Sequence, residues 1–439
     1  MRLGRLPNGL TLRVVEMHEV PLVQVTLRIK GGARLDGDLP GLATFTADLL
    51  DEGAGTRDAF GIASEQAFLG ADLNTAADWD YTYLSLSTPK RTLGPALDLL
   101  ADVALRPNFK SADVARERDL RLAQIVQQRD QPNGMASLAF SAILFPLRHP
   151  YHRPINGDST ATARLDSATV RGFYARSFRP DQADIVITGD VTLAEARAEI
   201  TRRFGRWIQN RMAPPRAPTP PAAEPPSRRA VYLVDKPGAA QSVIIIGAPG
   251  VQRTNPDYPA IEVMNTILGG SFSSRLNQNL RETKGYTYGA GSQFIYRPVP
   301  GPFVARAAVR TDVTDSALVE FFKELNAIRD APVSETELVR ARNYLALGLP
   351  GDFETTGQMA ARIGELLTFG LPLNFYDSYV RRILAVTAAD VQRVARAYFD
   401  PNRVDVVVVG DVSKVRDPIA ALDLGPLTLR DLEGKELTP

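Results

Sequence analysis

The pattern of apolar and polar positions predicts strands and helices in clusters. Near the start of each half of the chain, short runs of apolar and β-branched residues predict strands. Longer segments with apolar residues at helical spacing predict helices. The predicted strands cover residues 10–15, 22–29, 231–234 and 242–246, and the predicted helices cover residues 39–50, 92–104, 111–128, 258–268, 315–329 and 334–347. Because the two element types do not alternate strictly, we expect an α+β fold with antiparallel-rich sheets covered by helices on one side.

A proline-rich segment divides the chain into two predicted domains. Residues 213–227 read APPRAPTPPAAEPPS, in which seven of fifteen residues are proline. Proline fixes φ and removes a backbone donor, so the segment is expected to run as an extended linker. We therefore predict a first domain over residues 1–212, a linker over 213–228 and a second domain over 229–439.

The two halves repeat one another. Residues 165–191 and 386–412 align without a gap at an offset of 221. In each copy an amphipathic helix is followed by a proline-containing turn, an apolar strand and the sequence Gly-Asp-Val. The matching positions include Ala168 with Ala389, Val170 with Val391, Phe178 with Phe399 and Pro180 with Pro401. This register predicts that the domains arose by duplication.

Composition and charge exclude several classes of protein. The 439 residues include 51 Lys and Arg against 50 Asp and Glu, so the formal net charge is +1 and no basic field for nucleic acid is expected. No apolar run reaches the ~18 residues that span a bilayer, so no membrane association is expected. We expect a soluble protein of the cytoplasm, or of the periplasm if a signal peptide has been removed. The absence of cysteine excludes disulfides and thiolate metal sites, and only three histidines are present.

One helix resembles a metal-binding motif that has lost its ligands. The segment GLATFTADLL, residues 41–50, is similar in position and flanks to the zinc helix of the pitrilysin–insulinase peptidases, which reads H-x-x-E-H. Thr44, Ala47 and Asp48 stand at those three places, and Glu117 matches the family's third zinc ligand. Thr44 is a poor zinc ligand and Ala47 cannot act as a base, so we expect no metal in this chain.

Other motifs in the same order carry the resemblance along nearly the whole chain. Arg281 and Tyr288 match the family's C-terminal Arg/Tyr pair at the same spacing. Gly269, Gly270 and Asn74 are candidate substrate-binding residues. The motifs, in order, are GADLNTA at 70–76 with YTY at 81–83, HPYHRP at 149–154 with Gly157, LGGSFSSRL at 268–276 and LRETKGYTY at 280–288.

The resemblance implies a fold and a function. It implies two duplicated α/β-sandwich domains that form half of a clamshell. It also implies a zinc-less subunit that donates Arg281 and Tyr288 to substrate and to the developing oxyanion. The partner would be a homologous subunit that carries H-x-x-E-H and the zinc, and the substrate would be an unfolded peptide. In local terms, we expect Arg281 to end a helix, Gly285 to allow a turn, and Tyr286 and Tyr288 to share one strand face.

Alternative interpretations remain open for these residues. Glu117 and Arg281 would also be ordinary charged helix residues, and Tyr288 a half-buried strand aromatic. His149 and His152 flank Pro150 and are expected to bind loop backbone rather than metal. The alternative function is a non-enzymatic scaffold or peptide-binding protein of the same fold, which has no need of an Arg/Tyr pair.

Overall fold

The computed structural model describes residues 1–208 and 213–437. The predicted end of the first domain at residue 212 and the last two residues of the second lie outside this part. Residues 213–226 form neither helix nor strand, as the proline content predicts. None of the helices that the structure describes is long and apolar enough to cross a membrane.

The strands predicted near the start of each half form, and further strands pair with them. In chain order the strands are β1 (Arg2–Arg5), β2 (Thr11–Glu16), β3 (Leu22–Lys30), β4 (Gly53–Ala54), β5 (Arg57–Asp58), β6 (Asp72–Ala77), β7 (Tyr81–Pro89), β8 (Ala183–Gly189), β9 (Ala230–Asp235), β10 (Gln241–Pro249), β11 (Thr287–Phe294), β12 (Pro302–Arg310), β13 (Asp405–Gly410), β14 (Leu427–Arg430) and β15 (Glu436–Leu437).

The helices include all those that the apolar spacing predicts. They are α1 (Leu42–Asp48), α2 (Ala59–Leu69), α3 (Leu93–Leu105), α4 (Ser111–Asp130), α5 (Pro132–Leu144), α6 (Ser159–Thr162), α7 (Ser167–Ser177), α8 (Leu193–Phe204), α9 (Tyr258–Leu268), α10 (Arg275–Asn277), α11 (Thr314–Asp330), α12 (Glu335–Gly348), α13 (Thr356–Phe369), α14 (Tyr379–Leu384), α15 (Ala388–Tyr398) and α16 (Val412–Ala420). One π-helical turn follows α10 over Gln278–Thr283.

The chain forms two compact units that interleave along the sequence. The first unit contains residues 1–125, 154–219 and 351–367, and the second contains residues 126–153, 220–350 and 368–439. Each half of the sequence therefore contributes one segment to the unit built mainly from the other half. The domain boundaries at 212 and 229 stay a prediction drawn from sequence alone.

The first unit is built on a six-stranded sheet in the order β1-β2-β8-β3-β7-β6. β2 and β8 run parallel, and the other neighbouring pairs run antiparallel. Alternate residues of β7 are buried, as expected for a strand with one face on a core. The core beneath this face includes Phe45 of α1, Leu97 of α3 and Phe173 of α7. The antiparallel-rich sheet with helical cover is confirmed.

The second unit repeats this topology. Its sheet has the order β11-β12-β10-β13-β9-β14-β15, and β9-β13-β10-β12-β11 corresponds strand by strand to β2-β8-β3-β7-β6. A parallel pair falls at the same place, between β9 and β13. The second sheet differs at β14, which also runs parallel to β9, whereas β1 runs antiparallel to β2. Helices α7 and α15, both 11 residues long, begin 221 residues apart. The predicted duplication is confirmed.

The helical cover extends beyond the one side that the sequence predicts. Strand β8 buries Val186 against Ala360 and Ile363 of α13, while its neighbours Ile185 and Ile187 join the main core. In the second unit, α5 packs on β10 and β13. The central strands are therefore covered on both faces, because each unit receives a helix from the opposite half of the sequence.

Candidate functional site

Helix α1 begins three residues later than predicted. Gly41 has a φ of 91°, in the left-handed region that favours glycine, and the helix starts at Leu42. The Asp36 carboxylate accepts hydrogen bonds of 2.8 Å from the backbone N–H groups of Gly41 and Ala43. Burial raises the pKa of Asp36 to about 7, although these bonds oppose the shift. The Asp36 carboxylate, which precedes the helix in the same loop, therefore caps its first turn.

The first turns of α1 present Thr44 and Asp48 on one face. Residues four apart lie above one another on a helix. Thr44 is buried and Ala47 is fully buried, whereas the Asp48 side chain is half-exposed. The Thr44 hydroxyl donates to the Gly41 carbonyl over 3.1 Å. These three residues are therefore part of the packed core and its rim.

A buried guanidinium lies between the two positions that match zinc-binding histidines. Arg121 of α4 is 5% exposed. Its Nη1 donates to the Thr44 hydroxyl over 3.1 Å and to the Asn156 carbonyl over 3.0 Å. Its Nη2 donates to the Asp48 carboxylate. The sequence analysis missed Arg121, although it stands one helical turn after Glu117 and so faces the same way.

Glu117 belongs to a cluster of carboxylates at the rim of this site. It forms an ion pair of 2.6 Å with Arg116, which also binds Glu52. Burial raises the pKa of Glu117, and the neighbouring Glu52 raises it further. Burial likewise raises the pKa of Asp51 to about 6. Glu117 is thus ion-paired, as its alternative interpretation predicts.

The residues at this site do not fit zinc. Zinc sites in proteins use imidazole, thiolate and carboxylate ligands, whereas Thr44 is a hydroxyl that already accepts from Arg121. A divalent cation would also have to displace the guanidinium from Asp48. In residues 1–208 and 213–437, no group of three or more histidine, cysteine or acidic side chains could hold a metal ion.

The two loop histidines bind backbone, as predicted. His149 is buried, and its Nδ1 accepts from the Tyr151 backbone N–H over 3.1 Å. The ring of His149 stacks on Phe145 with 4.5 Å between centroids. His152 Nδ1 lies 2.8 Å from the Phe145 carbonyl. This prediction is confirmed, and it assigns both rings to the packing of the second unit.

Asn74 lies on a strand at the edge of the first sheet. It is exposed on β6, which pairs with β7 on one side only within the described sheet. An edge strand leaves backbone donors and acceptors for another extended chain. The position suits peptide pairing, and the role of Asn74 stays a prediction.

Gly269 and Gly270 allow the chain after α9 to contact β11. The Gly269 carbonyl accepts from the Ser292 backbone N–H over 3.1 Å. A Cβ at Gly269 would lie 2.2 Å from that nitrogen, and one at Gly270 would lie 2.8 Å from Asn265 Nδ2. Gly269 is therefore required by its close approach to the β11 backbone, whereas a side chain at Gly270 would crowd the Asn265 amide. Both glycines line a cavity of about 610 Å³ beside β11.

Arg281 lies in the π-helical turn after α10. The Lys284 backbone N–H donates to the Asn279 carbonyl, five residues earlier, over 2.9 Å. Such turns interrupt helices frequently at functional sites. The Arg281 guanidinium carbon lies 4.7 Å from the centroid of the Phe272 ring, and its side chain is 38% exposed. Its only ion-pair neighbour among the described residues is Glu282, at 3.4 Å.

Tyr288 lies at an irregularity of the edge strand β11. Gly285 has a φ of 64°, as its predicted turn requires. The pairing of β11 with β12 shifts between Thr287 and Ala290, which is a β-bulge. The prediction that Tyr286 and Tyr288 share a strand face is wrong, because β11 begins at Thr287. Tyr288 is 90% exposed.

An ionic network anchors the π-helical turn to α11. Asn279 Nδ2 donates to the carboxylates of Glu320 and Glu324 over 2.8 and 2.7 Å. Lys284 Nζ forms an ion pair of 2.9 Å with Glu320. The Lys284 ammonium beside it holds the pKa of Glu320 at about 2, well below its usual range. These four residues fix the segment that carries Arg281, and the sequence analysis did not predict their contacts.

Two protein-family models match the chain. The insulinase (peptidase family M16) model matches residues 13–152, and the peptidase M16 inactive-domain model matches residues 164–345. An uncharacterized zinc protease of Mycobacterium leprae is 28% identical over 363 residues, which cover 82% of this chain and 80% of that relative. An uncharacterized zinc protease of Streptomyces coelicolor is 26% identical over 429 residues, which cover 96% and 93%.

Solved structures show the same architecture. The peptidase M16 inactive domain from Pseudomonas fluorescens is similar with a TM-score of 0.86 and 25% identity, covering 93% of this chain and 98% of that one. A protease from Helicobacter pylori is similar with a TM-score of 0.85 and 19% identity, covering 93% and 99%. The second likeness concerns the fold alone. Together with the family models, these structures extend the likeness over nearly the whole chain.

Proposed function

Because the chain belongs to the peptidase M16 (insulinase) family, we propose that it is the zinc-less subunit of a two-chain zinc peptidase. A homologous partner supplies H-x-x-E-H, the zinc and the general base. This chain supplies Arg281 and Tyr288. Its substrate is an unfolded peptide, held in an extended form.

The contacts of Arg121 carry this proposal. Its guanidinium satisfies both Thr44 and Asp48, which stand at two ligand positions of the zinc helix. A fixed positive charge at this point disfavours a second cation through direct repulsion. Ala47 has no carboxylate to accept a proton from water. The chain on its own therefore lacks the ligands and the base of the family's reaction.

The exposure of Arg281 and Tyr288 supports their role toward a ligand. A guanidinium and a phenol are donors that stabilise a carbonyl oxygen as it becomes negative. In the described residues, the Tyr288 hydroxyl has no hydrogen-bond partner, and it is 90% exposed. Packing of Arg281 on Phe272 restricts the guanidinium, whose Nε lies 3.4 Å from the exposed Glu282 carboxylate. Both Arg281 and Tyr288 thus keep exposed donors for a substrate.

The edge strand β6 supports binding of an extended peptide. A substrate that pairs with β6 would satisfy the backbone groups around Asn74 through main-chain hydrogen bonds. Such pairing is tolerant of sequence, which suits digestion of unfolded chains.

Exposed aromatic residues on α2 support association with another chain. Phe60 and Phe68 are 81% and 87% exposed. They lie two turns apart, with exposed Ala63 and Ala67 between them. Large apolar side chains that are grouped on a solvent-exposed surface are typical of surfaces that bind another protein. The partner that we propose is the H-x-x-E-H subunit.

Peptide hydrolysis by the reconstituted pair tests this function. A quenched fluorescent peptide is incubated with this chain alone, with a candidate H-x-x-E-H partner, and with both. We expect hydrolysis that depends on both chains and decreases with Arg281→Ala. Hydrolysis by this chain alone, lost with Glu117→Gln, would overturn the proposal. If the partner binds but no substrate is cleaved, the scaffold function is favoured instead.

A further inference from the structure

A cavity of about 610 Å³ lies beside β11, on the side that Gly269 and Gly270 line. Small residues form much of its wall: Gly269, Gly270, Gly289, Gly291, Ala307 and Ala308. Their lack of side-chain volume leaves room that a ligand side chain would fill. Gly289 directly follows Tyr288, so the cavity adjoins the residue to which we assign substrate binding.

Among the described residues that line this cavity, the charged side chain is positive. Arg306 of β12 lines it, and none of its described lining residues is acidic. Gly291 pairs with Arg306 across the sheet, so no side chain of β11 covers the guanidinium there. Arg306 is exposed, and its guanidinium forms no hydrogen bond or ion pair with the residues that the structure describes. Asn133, Asn265 and Gln293 add amide groups to the wall.

We propose that this cavity binds a carboxylate of the peptide, with Arg306 as its counter-ion. A guanidinium presents a fork of donors that matches a carboxylate in two parallel hydrogen bonds. The carboxylate belongs either to an acidic side chain or to the peptide C-terminus. The inference rests on the proposed function and narrows its substrate class to peptides with a carboxylate near the scissile bond.

The neighbourhood of Arg306 differs from that of two ion-paired arginines in this unit. Arg275 forms a 2.6 Å ion pair with Glu337, and Arg393 forms one of 2.7 Å with Asp257. Those cations are neutralised within the fold. The donors of Arg306 lie in a recess of which glycine and alanine form half of the wall. Small side chains leave the guanidinium accessible to an incoming carboxylate, and opposite charges attract one another at short range.

Binding of matched labelled peptides to the full chain tests the inference without any turnover. One unstructured, C-terminally amidated peptide carries a central Glu, a second carries Gln at that place, and a third carries Gln with a free C-terminus. We expect the wild type to bind the first or the third at least about tenfold more tightly than the second, as for a charge-assisted hydrogen bond. The preferred peptide identifies the source of the carboxylate.

Three variants make the test specific. Arg306→Gln should abolish the preference, and Arg306→Lys should retain part of it because the charge remains. Arg340→Gln removes an exposed arginine on α12 and should leave the preference unchanged. Equal affinity of the wild type for all three peptides, absence of peptide binding, or a preference that survives Arg306→Gln would overturn the inference. If the preference holds but the reconstituted pair cleaves nothing, the proposed function fails while this site stands.

Discussion

Arg121 and Arg281 offer a comparison between the two regions that resemble peptidase motifs. Arg121, in the first unit, is 5% exposed and satisfies a hydroxyl, a carbonyl and a carboxylate of its own chain. Arg281, in the second unit, is 38% exposed and packs on an aromatic ring. The Arg121 guanidinium is paired within its own chain, whereas the Arg281 guanidinium lies at the surface with Glu282 as its ion-pair neighbour among the described residues.

The difference separates a cation that is paired within the fold from one that lies at the surface. A buried donor must find a partner within the protein, and once it has done so it contributes to folding rather than to ligand binding. A donor that packing holds at the surface remains available to bind a ligand. Thr44 and Ala47 are therefore part of the packed core, while Arg281 and Tyr288 lie at the surface.

Removal of Arg281 is expected to have the largest effect on activity. Arg281→Ala should lower kcat of the reconstituted pair by about 10²–10³, because it removes a donor to the developing oxyanion. Stopped-flow or steady-state hydrolysis of a quenched peptide measures this change. Arg340→Ala serves as the control and should leave kcat unchanged. If the pair that contains Arg281→Ala keeps the wild-type turnover, Arg281 has no role in catalysis.

Removal of Arg121 is expected to affect stability instead. Arg121→Ala leaves Thr44 and the Asn156 carbonyl without their donor, and we expect a loss of about 2 kcal/mol in the free energy of unfolding. Denaturant unfolding checks this value. Arg116→Ala on the same helix breaks exposed ion pairs and should cost less than about 1 kcal/mol. Equal costs for the two variants would contradict the comparison.

The Tyr288 hydroxyl should have a smaller effect than Arg281. Tyr288→Phe removes one neutral donor and is expected to lower kcat of the pair by about tenfold, while assembly stays intact. Tyr286→Phe, two residues earlier and before β11, is the matched control. A pair whose turnover falls equally with both substitutions would show a local structural effect rather than a role of the Tyr288 hydroxyl.

The pH dependence of the network below Arg281 gives the smallest expected effect. Lys284 holds the folded-state pKa of Glu320 at about 2, below the ordinary value of 4.5. Glu320 therefore stabilises the fold above pH about 4.5, and that contribution is lost as the pH falls toward 2. The difference in unfolding midpoint between the wild type and Glu320→Gln should shrink over this range. A difference that stays constant would contradict the ion-pair account.

The sequence predicted elements best where the signal is local. Helix α9 has the predicted bounds because its apolar residues and its terminal glycine lie within one segment. The duplication was readable because α7 and α15 keep the same length and spacing. Motif order identified the positions of Thr44, Asp48 and Arg281.

The features that were missed depend on distant parts of the chain. Arg121 binds Asp48 across 73 residues of sequence, and no helical period records such a contact. Helix α13 packs on Val186 of β8 although one lies in each half of the sequence. Local patterns specify elements, and only packing specifies which distant side chains meet.

The zinc content of the reconstituted pair tests the central claim most directly. Purified heterodimer is analysed for bound zinc by elemental mass spectrometry, with the partner's general base and one of its histidines substituted in separate preparations. We predict one zinc per heterodimer, lost when the partner's histidine is replaced, and none bound by this chain alone. Two zinc ions per heterodimer, or stoichiometric zinc in this chain that depends on Asp48 and Glu117, would contradict the account.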